Sequence, residues 1–171
     1  MKELNIRPES EQDQSTIHQI NAEAFETEVE ANLVDALRDS GATLISLVAE
    51  RDNVVVGHIL FSPMTDAAGD SIPVAGLAPM AVAPEYQQQG IGSALVRSGL
   101  EHCRAAGYKA VIVLGHPRYY PRSGFVPASH FNIRSQYDAP DEAFMALELE
   151  PGALGEIGGV VKYHPLFDQV A

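Results

Sequence analysis

At 171 residues with 46% hydrophobic side chains, the chain has the apolar content for one globular domain, 1–171, and too little length for two. Eleven basic against twenty-three acidic side chains leave a formal charge of −12, which repels a phosphate backbone and excludes nucleic acid as the main partner. No window reaches the run of about 18 apolar residues that crosses a bilayer, and the opening MKELNIRPESEQD is too acidic for a secretory signal; no membrane partner and a cytoplasmic address are expected.

Residues 4–7 suit a short opening strand, after which Ser10 offers an N-cap to a helix carrying Ile17, Ile20 and Ala24 on one face. Beyond the polar break at Glu26, Thr27 and Glu28, a second helix places Val29, Leu33, Ala36 and Leu37 at helical spacing, with Gly41 as its left-handed terminator. Residues 44–49 and 54–61 are rich in β-branched and apolar side chains, and Glu50, Arg51, Asp52 and Asn53 between them read as a hairpin turn. Gly57 predicts a bulge or a close backbone approach. A loop over 63–70 leads into a third long run, 72–82, so three antiparallel strands stand in sequence.

Pro84 ends that strand, and the helix beyond the next glycines carries Ile91, Ala94, Leu95, Ser98 and Cys103 along one side before closing at Gly107. The lone Cys103 has no intramolecular disulfide partner and reads as a buried structural thiol. Residues 110–114 are wholly apolar, as in a buried strand reached by a crossover helix and therefore parallel to the strand before it. Residues 115–125 leave room for one brief helix between Pro117 and Gly124. Two further strands, 143–149 and 160–163, separated by a loop over 151–159, are placed at the sheet's far edge. The six histidines show no metal-ligand spacing, so no metal is expected.

The stretch of greatest chemical content is MAVAPEYQQQGIGSALVRSGLEHCRAAG, from Met80 to Gly107. An apolar strand runs through a glycine-broken turn into a helix whose first N–H groups lack intrahelical partners, and that end carries the positive pole of the helix dipole. An anion is the natural ligand there. Gly90 and Gly92 let the main chain turn tightly and approach a ligand, while Gln87 brings a side-chain donor. A dinucleotide-binding fold fits less well, because QQQGIGSAL lacks the third glycine of GxGxxG and follows antiparallel strands in mid-chain.

Hydrophobic strand, V-x-P-x-x-Q/R-x-x-G-x-G and amphipathic helix together resemble the acyl-CoA signature of the GNAT superfamily of N-acetyltransferases. Val82, Pro84, Gln87, Gly90 and Gly92 fill it, with Gln where many members have Arg. YYPRSGF resembles the family's LYxKxGF, setting Tyr120, Gly124 and Phe125 on its tyrosine, glycine and phenylalanine. The element order agrees over 3–125; the segment 127–171 lies beyond the strongest match. The resemblance implies an α/β fold with a GNAT-like mixed sheet of about six or seven strands, antiparallel in its N-terminal half, with a parallel pair at the acyl-CoA site and flanking helices.

The same resemblance implies an acetyl-CoA-dependent N-acetyltransferase. The pyrophosphate of acetyl-CoA would lie on main chain from Gln87, Gln88, Gln89, Gly90, Ile91, Gly92 and Ser93, with the pantetheine arm beside Met80, Ala81 and Val82. A main-chain N–H near Val82, freed where the signature strand and the 110–114 strand diverge, would meet the oxyanion. Tyr120 is the candidate general acid for the leaving thiolate, with Tyr119 as runner-up. No carboxylate precedes Glu85 on the signature strand, so the amine's proton is assigned to a water relay ahead of His116 or His58.

The resemblance further implies an amine acceptor near the loop joining the first two helices, residues 25–28, where the acidic Glu26 and Glu28 suit a cation. The alternative is an acyl-CoA-binding sensor or regulatory module that keeps the phosphate turn without acyl transfer. Two roles are open to the tail over 127–171: completing the acceptor pocket, or extending the sheet into a homodimer contact.

Overall fold

The computed structural model describes residues 3–169. Strands β1 (Leu4–Pro8), β2 (Ile45–Arg51), β3 (Val54–Asp66) and β4 (Ser71–Val82) pair antiparallel in chain order. Helices α1 (Gln14–Phe25) and α2 (Val29–Asp39) lie between β1 and β2 in sequence, and α3 (Ile91–Ala105) crosses from β4 to β5 (Ala110–Leu114). That crossover makes β5 parallel to β4, as its apolar run requires. The tail adds β6 (Val126–Pro127), β7 (Ile133–Ser135), β8 (Phe144–Glu148) and β9 (Gly159–Lys162). The main sheet order is β1-β2-β3-β4-β5-β8-β6.

Period-two alternation in the central strands divides the core into two layers. Leu47, Ile59 and Phe61 face α3, packing with Ile91, Leu95 and Cys103, whereas Val48 and Leu60 face the opposite layer with Ile17, Leu33, Val34 and Leu37 of α1 and α2. Burial pushes the Cys103 thiol up to about 12, which fits the inert buried role expected of it.

Several boundaries differ from the sequence-based expectation. Residues 63–66 continue β3, because Pro63 pairs with Ala75 and Thr65 with Ser71, leaving a tight turn in place of a longer loop. Both readings of Gly57 apply: the β2–β3 register shifts beside it, and a Cβ there would meet Leu95 at 3.1 Å. Ser10 caps a 3-10 turn over Glu11–Asp13 that precedes α1; its N–H donates to Asp13, which also accepts two hydrogen bonds from Arg7. Among the described residues the sheet has nine strands, two of which, β6 and β7, are too short to leave period-two signals in the sequence. β8 lies beside β5 toward the far edge, but β9 returns to pair with the end of β3 and with β7. The long β3 leaves Thr65 and Asp66 free to receive it.

Candidate active site

The site forms where β4 parts from β5. The parallel ladder runs from Val74 opposite Ala110 to Leu77 opposite Val113 and extends no further along β4. At that point β4 bulges: Met80 faces Ile59 and Leu77 faces Phe61, so Ala78 and Pro79 stand against Leu60 alone. The Ala78–Pro79 peptide is cis. The split therefore opens upstream of Val82, and the free main-chain edge begins near Met80. Beyond it, the Ala83 N–H bonds the Val56 carbonyl (2.8 Å), so strand alternation turns the N–H groups of Val82 and Met80 away from β3.

The turn after β4 builds an anion cradle. Gly90 caps α3 with φ of 84°, and the first intrahelical donor is Ala94, whose N–H reaches the Gly90 carbonyl (3.1 Å). The N–H groups of Ile91, Gly92 and Ser93 precede it and form the open first turn. A cavity of about 570 Å³ sits on this turn, lined by Met80, Val82, Gln87, Gln88, Gly90, Ile91, Gly92 and Ser93 of the expected residues. Two expected residues turn elsewhere. Ala81 is buried and pairs with His58, and Gln89 accepts a hydrogen bond from Arg51 (2.8 Å). The Gln87 amide donates to the Val82 carbonyl (3.0 Å), tying the turn to the strand.

Three further residues complete the cradle: Tyr86, Tyr119 and Arg122. Arg122 supplies its one Lys or Arg side chain, with its guanidinium carbon 5.4 Å from the centre of the Tyr119 ring. It occupies the Lys position of the LYxKxGF-like segment, the signal by which sequence reasoning would have found it.

A second cavity, about 770 Å³, occupies the split and extends toward α1 and α2. Met80 and Tyr119 line both cavities, so the two meet there. Leu77, Ala78 and Pro79 form one wall and Val113, Leu114, Gly115 and His116 the other. Tyr120 projects beside the split, its ring against Gly115, edge-on to Tyr119 (centroids 5.1 Å) and to Phe125 (5.7 Å). Burial, and secondarily Tyr119, pushes its phenol pKa up, so the hydroxyl stays protonated at neutral pH.

Of the two histidines considered, His116 lines the split, its Nδ1 accepting the Arg118 N–H (3.2 Å). His58 is fully buried between β3 and α1 with its pKa pushed down to about 3 by burial, and lines neither cavity. Of the loop over 25–28, Phe25 alone lines the second cavity; Glu28 instead meets His18 (3.3 Å), and the carboxylates at the cavity are Glu30 and Asp138. Tyr137, Tyr163 and Phe167 of the tail also line it. Among the described residues no group of three or more His, Cys, Asp or Glu is arranged to hold a metal ion, and no helix is long and apolar enough to cross a membrane.

Comparison with known proteins bears on this arrangement. A model of the acetyltransferase (GNAT) family matches residues 10–125. The chain is 37% identical over 165 residues to the uncharacterized N-acetyltransferase YhbS of Escherichia coli K12, covering 96% of this chain and 98% of that protein. It is 42% identical over 134 residues to YjhQ of the same strain, also an uncharacterized N-acetyltransferase, covering 76% and 74%. The crystal structure of Escherichia coli YhbS in complex with CoA superposes with a TM-score of 0.91, covering 96% of this chain and 92% of that one. A GNAT family acetyltransferase from Brucella melitensis in complex with acetyl-CoA is 37% identical, with a TM-score of 0.81 and coverage of 97% and 99%.

Proposed function

Because the chain belongs to the GNAT family of acetyltransferases, we propose that it moves an acetyl group from acetyl-CoA to a primary amine by direct attack, with Tyr120 as the acid. The observation that carries this reading is the junction of the two cavities: an open helix N-terminus at one end, a split sheet in the middle, and a buried phenol beside the split. The CoA and acetyl-CoA held by the two 37%-identical relatives support giving the cradle to the cofactor's phosphates. The N–H groups of Ile91, Gly92 and Ser93 receive the pyrophosphate, Gly92 allows close approach, and Arg122 adds the positive charge that Gln87 lacks. The free edge of β4 from Met80 to Val82 pairs with the amide groups of the pantetheine arm as an added strand would.

The acetyl thioester then lies in the split. A neutral amine attacks the carbonyl carbon, the C–N bond forms, and the π electrons move onto oxygen, where the Met80 N–H donates to the oxyanion. The C–S bond breaks and the sulfur pair takes the Tyr120 proton. The buried phenol always holds a proton to give, but its pKa stands above the roughly 8.5 of a thiol, so the transfer runs uphill and is completed when water reprotonates the phenolate. Ordered water takes the proton the amine loses and returns one to Tyr120. His58 contributes nothing to this step, since a buried imidazole with its pKa near 3 is a poor base.

Acetyl-CoA, and not NAD, should raise the melting temperature, and CoA thiol should be released when amines are added. No stabilisation by acetyl-CoA overturns the cofactor assignment. Stabilisation without thiol release from any amine points to an acyl-CoA sensor instead.

A further inference from the structure

The second cavity has a composition of its own. The chain contains six Phe, six Tyr and no Trp, and Phe25, Tyr119, Tyr120, Tyr137, Tyr163 and Phe167, half of its aromatic residues, line this one space. Tyr119 and Tyr120 stand on the cofactor side; the other four form the walls toward α1, α2 and the tail. Resting on the acyl-transfer reading above, we infer that the acceptor is an arylalkylamine: a primary amine on a flat apolar body, with no carboxylate of its own.

The walls are held in place before any ligand arrives. The Tyr163 hydroxyl reaches the carbonyls of Leu77 and Ile112 (3.4 Å each), which locks its ring beneath the split. Phe167 packs on it with centroids 4.8 Å apart. The Tyr137 hydroxyl donates to Asp168 (3.0 Å). A rigid aromatic slot binds a flat ring by apolar burial and edge-to-face contact without first ordering its own side chains.

Charge narrows the choice. Among the described residues, the charged side chains lining the cavity are Glu30, in the first turn of α2, and Asp138, between β7 and β8, with no Lys or Arg and with His116 as the one histidine. Two carboxylates attract an ammonium, and aromatic faces favour a cation further. An amino acid would bring a carboxylate beside Glu30 and Asp138, with no Lys or Arg among the described lining residues to offset it. A polyamine would set its further ammonium groups against apolar walls. Tyr137, Asp138, Tyr163 and Phe167 lie beyond the family match over 10–125, whereas Phe25 and Glu30 lie within it, so the tail and the α1–α2 region build the acceptor end together.

The test compares kcat/KM for 2-phenylethylamine, phenylalanine, spermidine and a lysine peptide, with acetyl-CoA as donor. 2-Phenylethylamine should exceed each of the others at least tenfold. Glu30→Gln and Asp138→Asn should each raise its KM several-fold while leaving the KM for acetyl-CoA unchanged; Asp138 is exposed, so its variant keeps the fold. Phenylalanine, spermidine or the peptide turning over as well as 2-phenylethylamine overturns the inference and leaves acyl transfer standing. An unchanged acceptor KM in both variants overturns the role of the carboxylates. No thiol release with any amine overturns the acyl-transfer reading itself.

Discussion

The Tyr119 hydroxyl stands 2.5 Å from the point that a Cβ on Gly92 would occupy, and 3.4 Å from the Ser93 hydroxyl. The two glycines of the turn therefore do different work. Gly90 supplies a left-handed φ with open space around it; Gly92 leaves room for a phenol at the mouth of the phosphate cradle. Tyr119 has little freedom to retreat, because Tyr120 packs edge-on against it and Arg122 covers its face. Gly92→Ala should displace the phenol across the first turn of α3 and raise the KM for acetyl-CoA about tenfold, equivalent to ~1.4 kcal/mol. Steady-state kinetics at saturating amine checks this, and an unchanged KM removes the close approach from the binding argument.

Tyr120→Phe keeps the ring against Gly115 and Phe125 and removes only the proton. General acid catalysis contributes roughly 10²- to 10⁴-fold, so kcat should fall by at least 10² while the dissociation constant for acetyl-CoA holds. Tyr119→Phe should do the reverse, because its hydroxyl lies at the helix N-terminus and its loss acts on cofactor binding. Rapid-quench acetyl transfer alongside equilibrium CoA binding separates the two. A full-rate Tyr120→Phe enzyme would exclude it from the chemistry.

The elements that determine the cradle were legible because each leaves a local mark. β4, Pro84, the glycines and α3 are written as apolar run, breaker and helical period, and Tyr120 sits at a fixed offset from Gly124 and Phe125. What the sequence hid depends on contacts between distant segments. Ala81 and Gln89 belong to the signature stretch but face the core and Arg51, which strand alternation and the turn decide together. The acceptor end was hidden for the same reason: Glu30 follows the polar loop in sequence yet reaches the cavity, while Glu28 is drawn off by His18. β9 carried a readable strand signal, but its partner, the overhanging end of β3, became available only because β3 continues through Pro63.

Arg122 should account for much of the cradle's affinity for the cofactor's phosphates. Gln87 replaces the arginine common in the signature, and its amide is committed to the Val82 carbonyl. Arg122→Ala should weaken acetyl-CoA binding about tenfold, and Arg122→Lys should restore part of it as a point charge without the guanidinium's contact over the Tyr119 ring. Isothermal titration at two salt concentrations is the measurement. The parent's affinity should fall with salt more steeply than that of Arg122→Ala, and parallel slopes would place the phosphate charge elsewhere.

His58 should govern the acid limb of stability. Its Nδ1 accepts from the Asn21 amide (3.2 Å), which assigns the ring proton to Nε2, 2.9 Å from the Ser46 hydroxyl; Ser46 donates in turn to Glu9, which pairs with Arg38. Burial, followed by Arg38, lowers the folded-state pKa from 6.5 to about 3, so the folded protein resists a second proton on the ring. The unfolded chain takes up that proton near 6.5. The contribution is therefore complete above pH 6.5 and falls by up to roughly 1.4 kcal/mol per pH unit between 6.5 and 3. His18 works in the opposite sense: Asp35, then Glu28, raises its pKa, so its contribution is present below its unfolded value and lost as pH rises through the folded one. Asp13, held down to about 2 chiefly by Arg7, loses its contribution from the lowest part of the His58 window downward, as pH falls from 3.8 through about 2. His58→Gln should cost about 1–3 kcal/mol at pH 7.5 through broken hydrogen bonds, yet flatten the decline between pH 6.5 and 4.5, where His58 is the group that titrates with this sign. Urea midpoints across that range decide it: equal slopes in parent and variant would mean that His58 is protonated in the folded state and that the Asn21–His58–Ser46 chain is oriented differently.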